Sequence, residues 1–218
     1  MRRLAFVVLA LAAAASSAVA APKSSRAKHR SAFSGANAPK TSYRKTPLEK
    51  PSGKLWLRAE NLNEEARVNL YNPDGSFDNA ALAKLDELFR CVATGEVRAV
   101  RAELYEQLSR IQDHFEGKQI QLVSGFRFNE RTSSRHHHAS AADFRIEGAT
   151  IYELKAFAET LDAGNMGIGI YPTTQFVHVD FRAPGEPSFR WTDYSGSGRK
   201  PATRKPTGRT QPARKPVS

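Results

Sequence analysis

The chain has 218 residues and a mass of 24.1 kDa, with 40% hydrophobic and 25% charged residues, enough for one domain with a real core, which excludes a collagen, a coiled coil or a fully disordered chain. A net charge of +11 and a pI near 10.0 raise the question of a nucleic-acid partner, whose footprint is clustered Lys and Arg. The charge is not in the core: residues 1–20 carry +2, residues 21–54 carry +8 and residues 196–218 carry +7, which leaves −6 on residues 55–195, an acidic domain between two basic tails that speaks against nucleic acid.

Arg2 and Arg3 precede an apolar run from Leu4 to Ala15, then Ser16, Ser17 and the small triplet Ala18-Val19-Ala20. That is the layout of a secretory signal, cleaved after Ala20. The other reading is an uncleaved anchor, for which about 17 residues is the short edge of what spans a bilayer. Export places the protein in the periplasm or outside the cell. The single cysteine, Cys91, forbids an intramolecular disulfide, so the domain is held by its core, with or without a metal. Residues 21–54 and 196–218 are rich in Pro, Ser, Thr, Gly and cations, the second holding Arg-Lys-Pro at 199, 204 and 214. Both read as disordered basic segments, because neither buries enough apolar surface to offset its ordering entropy. Two uses are open to them: salt-dependent tethering to anionic envelope polymers, or plain solubility.

Within residues 55–195, Leu55–Glu60 and Ala66–Tyr71 alternate as two short strands, and Asn72-Pro73-Asp74-Gly75 is turn chemistry, so a hairpin is expected. Leu82, Leu85, Phe89 and Val92 recur at helical spacing from about Asp78 to Gly95, placing Cys91 inside a helix as a small buried hydrophobe. Val100, Leu104, Leu108, Ile111 and Phe115 form a second helical stripe closed by Gly117. Gln119–Ser124 reads as a buried strand, about fifteen polar residues form a long loop of the kind usually kept for function, and Ala142–Ile146 resumes as strand. Thr150-Ile151-Tyr152-Glu153 is a capping box opening a third helix, and Gly167–Ile170 and Phe176–Phe181 are the last strands. The class is α+β: a single domain with helices packed on a mainly antiparallel sheet.

Four of the six histidines, His136, His137, His138 and His178, lie in or beside the long loop and on the last strand. In a period-2 strand Phe176, His178 and Asp180 share one face, as do Ala141, Asp143 and Arg145 in theirs, so two adjacent strands would aim Asp143 and His178 at one point. A loop histidine added to them completes two imidazoles and a carboxylate, the donors of a catalytic zinc site on the sheet with a position open for water. By spacing alone, a solvated triple-His loop and a hydrogen-bonded core His178 stand beside that reading.

The residues Ser134 to Asp143, with His136, Ala141 and Asp143 in place, resemble the S-x-H-x-x-G-x-A-x-D motif of the D-Ala-D-Ala metallopeptidase branch of the LAS zinc peptidases. Ser124-Gly125-Phe126-Arg127 resembles that branch's S-G-[YF]-R stretch, and Phe176-Val177-His178-Val179-Asp180 the H-x-D ending of its murein endopeptidase K-like subgroup. The resemblance implies His136, Asp143 and His178 as Zn2+ ligands, with His137 and His138 matching no ligand position. It places Arg127 at the mouth of the site, for a substrate carboxylate or a developing oxyanion, or else in a structural salt bridge. It departs from the pattern at two positions. Ala139 stands where the motif has Gly, at a cost of about 1 kcal/mol if φ is positive there. Gln175 stands where several relatives carry a catalytic acid, so Asp180 is expected as the proton acceptor, the inverse pairing of Asp180 as ligand and His178 as base being also open. The implied substrate is peptidoglycan, cut in its peptide cross-links by a monomeric zinc endopeptidase. A D-amino-acid carboxypeptidase or dipeptidase of the same superfamily is the second reading, and a zinc-stabilised wall-binding module without hydrolysis the third.

Overall fold

The computed structural model describes residues 32–195. The signal-type segment, the start of the basic linker and the tail 196–218 fall outside those residues. In chain order, β1 (Phe33–Asn37) and a 3-10 turn at Lys40–Ser42 precede β2 (Lys54–Ala59) and β3 (Glu64–Asn69), which pair antiparallel as the expected hairpin with Leu57 opposite Ala66. Helix α1 (Asn79–Leu88) begins where Asp78 accepts hydrogen bonds from Ala80 N and Ala81 N, satisfying two of the first-turn donors. Helix α2 (Ala102–His114), β4 (Ile120–Ser124) and β5 (Ala141–Ile146) follow. Helix α3 (Ile151–Thr160) opens on the full reciprocal capping box of Thr150 and Glu153. The chain then forms β6 (Met166–Tyr171), β7 (Phe176–Phe181) and β8 (Phe189–Asp193).

The eight strands make one sheet in the order β1-β8-β6-β7-β5-β4-β2-β3. It is mixed rather than purely antiparallel, because β2 runs parallel to β4 and β6 parallel to β8, while the remaining pairs are antiparallel. Leu57, Leu122, Phe144, Ile168 and Val179 are buried in the core with Leu82, Leu85, Leu104, Leu108, Ile111 and Leu154 of the three helices. The alternate residues of β5 and β7, Asp143, His178 and Asp180, therefore face the other side of the sheet. Among the described residues no helix is long and apolar enough to cross a membrane.

Three expectations are corrected. Helix α1 stops at Leu88, leaving Cys91 beyond its end but buried, and Val92 50% exposed. The reason is a competing partner: Phe89 O accepts from Phe126 N at 2.8 Å, which ties the helix end to the long loop. Residues 32–54 are also not structureless. Strand β1 is exposed at all five positions and needs no apolar pattern, since it is held by its backbone pairing to β8. After it, Ala38 N donates to Ser188 O and Arg44 N to Asp162 O, both at 2.8 Å. Strands β1 and β8, neither of them expected from the sequence, extend the sheet past β6.

Candidate metal centre

The register of the sheet sets Asp143 on β5 directly opposite His178 on β7, both on the face away from the helices. The third member comes from the 125–140 loop, and its placement is built locally. Gly125 lies so close to the end of α1 that a Cβ would meet Phe89 O at 2.7 Å, and its own carbonyl accepts a 2.7 Å hydrogen bond from His136 Nδ1. At the far end of the loop Ala139 has φ of 50°, so the motif's glycine position does require the left-handed region, and Ala139 N closes the turn on His136 O at 3.2 Å.

His136, Asp143 and His178 converge, one donor atom from each lying within 4.8 Å of the others, all three residues buried. His178 Nδ1 is 2.7 Å from Asp143 Oδ1 and 3.2 Å from His136 Nε2. Each ring's orientation is fixed from outside the cluster. His136 gives its Nδ1 proton to Gly125 O, which leaves the Nε2 lone pair facing inward; His178 Nε2 lies 3.0 Å from Asp180 Oδ2, which leaves Nδ1 facing inward. Two nitrogen lone pairs and a carboxylate turned toward one another repel unless a positive charge sits among them, so the donor set fits a cation. Burial alone would lower His178, but hydrogen bonds to Asp143 and Asp180 push it up to about 9. Burial pushes His136 down. Burial would raise the Asp143 carboxyl, yet His136, His178 and Arg127 around it hold it well below the usual carboxylate range.

Arg127 is already engaged. Its Nη2 pairs with Asp143 Oδ2 and its Nε donates to Ser124 Oγ at 2.7 Å, while Nη1 lies 3.8 Å from Glu130. Arg127 thus forms a salt bridge with Asp143, while 39% of its side chain remains exposed. Asp180 lies behind His178, at the ring nitrogen that points out of the cluster. Arg182 Nη1 is 3.4 Å from the same Oδ2, and Oδ1 has no hydrogen-bond partner among the described residues. Burial would raise this carboxyl, but His178 and Arg182 hold it below its ordinary value, so it stays ionised. The Asp180 carboxylate therefore lies behind the His178 ring rather than among the converging atoms of His136, Asp143 and His178. Gln175 is exposed in the β6–β7 turn, and its side-chain amide donates to Pro172 O. His137 and His138 do not join either: each ring binds a loop carbonyl, Phe128 O at 3.1 Å and Thr132 O at 2.6 Å.

Sequence reasoning missed Gly167, whose absent side chain makes room for Asp180; a Cβ there would lie 2.1 Å from Asp180 Oδ2. The Gly-x-Gly alternation on β6, read together with Asp180, was the available signal.

The family model described as peptidoglycan L,D-endopeptidase MepK matches residues 50–184, a span that holds every residue of the cluster. Among curated proteins, the peptidoglycan L,D-endopeptidase MepK of Escherichia coli (strain K12) is 36% identical over 139 residues, covering 58% of this chain and 75% of the relative. The probable peptidoglycan L,D-endopeptidase MepK of Haemophilus influenzae is 32% identical over 139 residues, covering 57% and 74%. No solved structure matches the chain.

Proposed function

The chain belongs to the peptidoglycan L,D-endopeptidase MepK family, and from that premise we propose that it is a zinc endopeptidase of the cell envelope that cuts L,D peptide cross-links of murein, with His136, Asp143 and His178 holding the metal. The carrying observation is the inward-facing donor set, two imidazoles oriented from outside and one carboxylate, which matches the ligands of a catalytic zinc site that keeps a position open. Bound there, zinc supplies a Lewis acid that polarises a peptide carbonyl and lowers the pKa of water to about 7.

The chain's own residues provide the rest. Arg127 holds Asp143 Oδ2, which turns Oδ1 toward the imidazoles. Its exposed edge lies where a substrate carboxylate arrives, and a guanidinium fork suits that group. Asp180 accepts the proton of His178 Nε2 and so keeps Nδ1 free to ligate, an orienting role. Arg182 and Arg135 keep Asp180 negative. The signal-type layout of residues 1–20 accounts for delivery to the envelope, where peptidoglycan is found, and the basic segments fit anionic envelope polymers.

The test is a digest of purified sacculi with the full chain, with and without a chelator, followed by muropeptide separation. The expected result is loss of L,D-cross-linked dimers that stops on chelation and returns with zinc. Release of single D-amino acids with the dimers intact would move the assignment to a carboxypeptidase. Sedimentation with murein and no released fragment would move it to a binding module.

A further inference from the structure

Strand β8 lies beyond residue 184, where the match to the family ends, yet it delivers a side chain to the metal centre. Asp143 opposes His178, His178 opposes Gly169, and Gly169 opposes Trp191, so these residues form one row across four strands on the site face. The Trp191 ring lies 4.9 Å from that of His178. It rests directly on the backbone of Gly169, where a Cβ would meet the indole Cε2 at 2.1 Å and Nε1 at 2.4 Å. The polar edge is already satisfied, since Nε1 donates to Tyr171 OH at 3.1 Å, and Tyr171 is in turn stacked on Phe176 at 4.3 Å. Trp191 is only half-buried. One face is thus carried by the sheet, the Phe189 ring stands 6.0 Å off and the polar atom is occupied, so the part of the indole that remains exposed is apolar.

We propose that Trp191 is a specificity-determining residue, an aromatic shelf that receives the aliphatic side chain of the residue flanking the scissile bond. The proposal rests on the endopeptidase reading of the site. Successive Cα atoms are about 3.8 Å apart, so a peptide with its reacting carbonyl at the cluster places the next residue over a ring that reaches across β6 to within 4.9 Å of His178. The open indole has no charge or free donor to offer, so the group it selects is alkyl rather than carboxylate, which falls to Arg127 on the other side of Asp143.

The chain has two tryptophans, so Trp56→Phe leaves Trp191 as the sole indole reporter. With a purified L,D-cross-linked muropeptide dimer as substrate, Trp191→Ala is expected to raise KM about tenfold with kcat and zinc content within about twofold. Trp191→Phe should restore most of the affinity, and Gly169→Ala, which pushes the indole off its seat, should mimic the alanine variant. An unchanged KM in Trp191→Ala would overturn the proposal. Should that variant fail to fold, the same dimer titrated into Trp56→Phe decides: a saturable change in indole emission upholds the shelf, and a flat titration overturns it. A chain that cleaves no dimer but gives the emission change refutes the endopeptidase reading while the shelf stands.

Discussion

Asp180 and His178 are two residues apart on one strand face, yet only the side-chain geometry says which ring nitrogen the carboxylate meets. It meets Nε2, on the far side from Asp143. A carboxylate in that position raises the basicity of the ligand and fixes its ring, and losing such a partner typically costs 10- to 100-fold in metal affinity. Asp180→Ala is therefore expected to weaken zinc binding by roughly that factor along with turnover, measured by competition with a chromogenic chelator; full zinc affinity with lost turnover would return Asp180 to the role of proton acceptor. Ala139 carries its own prediction. At φ of 50° and fully buried, it bears a left-handed penalty of about 1–2 kcal/mol, partly offset by the extra chain entropy of glycine. Ala139→Gly should stabilise the fold by about 0.5–1 kcal/mol in urea unfolding, with activity kept. The positions of His136, Asp143 and His178 were legible because a strand's period of two and a motif's spacing both point to them. The partners of Asp180 and Arg127 were not, because they depend on rotamers and on which opposite charge each one finds.

At the scale of elements, the two edge strands explain what patterning misses. Strand β1 has no buried residue and β8 is half-buried throughout, so neither shows the alternation that betrayed β5 and β7. Their place is fixed by backbone pairing and by one buried hub, Asp162. Its Oδ1 accepts from Gly164 N, Asn165 N, Met166 N and Ser188 Oγ, and its Oδ2 pairs with Arg190 of β8. Asp162→Ala would strand these donors and a largely buried guanidinium, at a cost of about 3–5 kcal/mol. Thermal unfolding should show that loss, and a variant within 1 kcal/mol of the native chain would deny Asp162 the role. The helices, by contrast, could be read from their stripes and caps. The end of α1 was misjudged, because the carbonyl of its C-cap, Phe89, is drawn to the loop that carries His136.

For the molecule as a whole, the three donors come from a loop and two strands separated by up to 42 residues of chain, so an ion among them links parts of the fold that meet only when it is complete. An ion that binds the folded chain alone stabilises it by about 4 kcal/mol at a thousandfold excess over Kd, which for a domain of this size corresponds to roughly 10 °C in Tm. Chelation should lower Tm by about that amount and zinc should restore it; a Tm indifferent to chelation would leave the cluster without a bound ion. The excess positive charge lies in the sequence outside residues 55–195, and of the basic segment 21–54, residues 33–37 are held as a strand by the edge of β8. The measurement that bears most directly on the metal centre is zinc stoichiometry by mass spectrometry across single alanine variants. One zinc per chain is predicted for the native protein and for His137→Ala and His138→Ala, and none for His136→Ala, Asp143→Ala or His178→Ala. Zinc retained in those three, or lost with His137 or His138, would contradict the account.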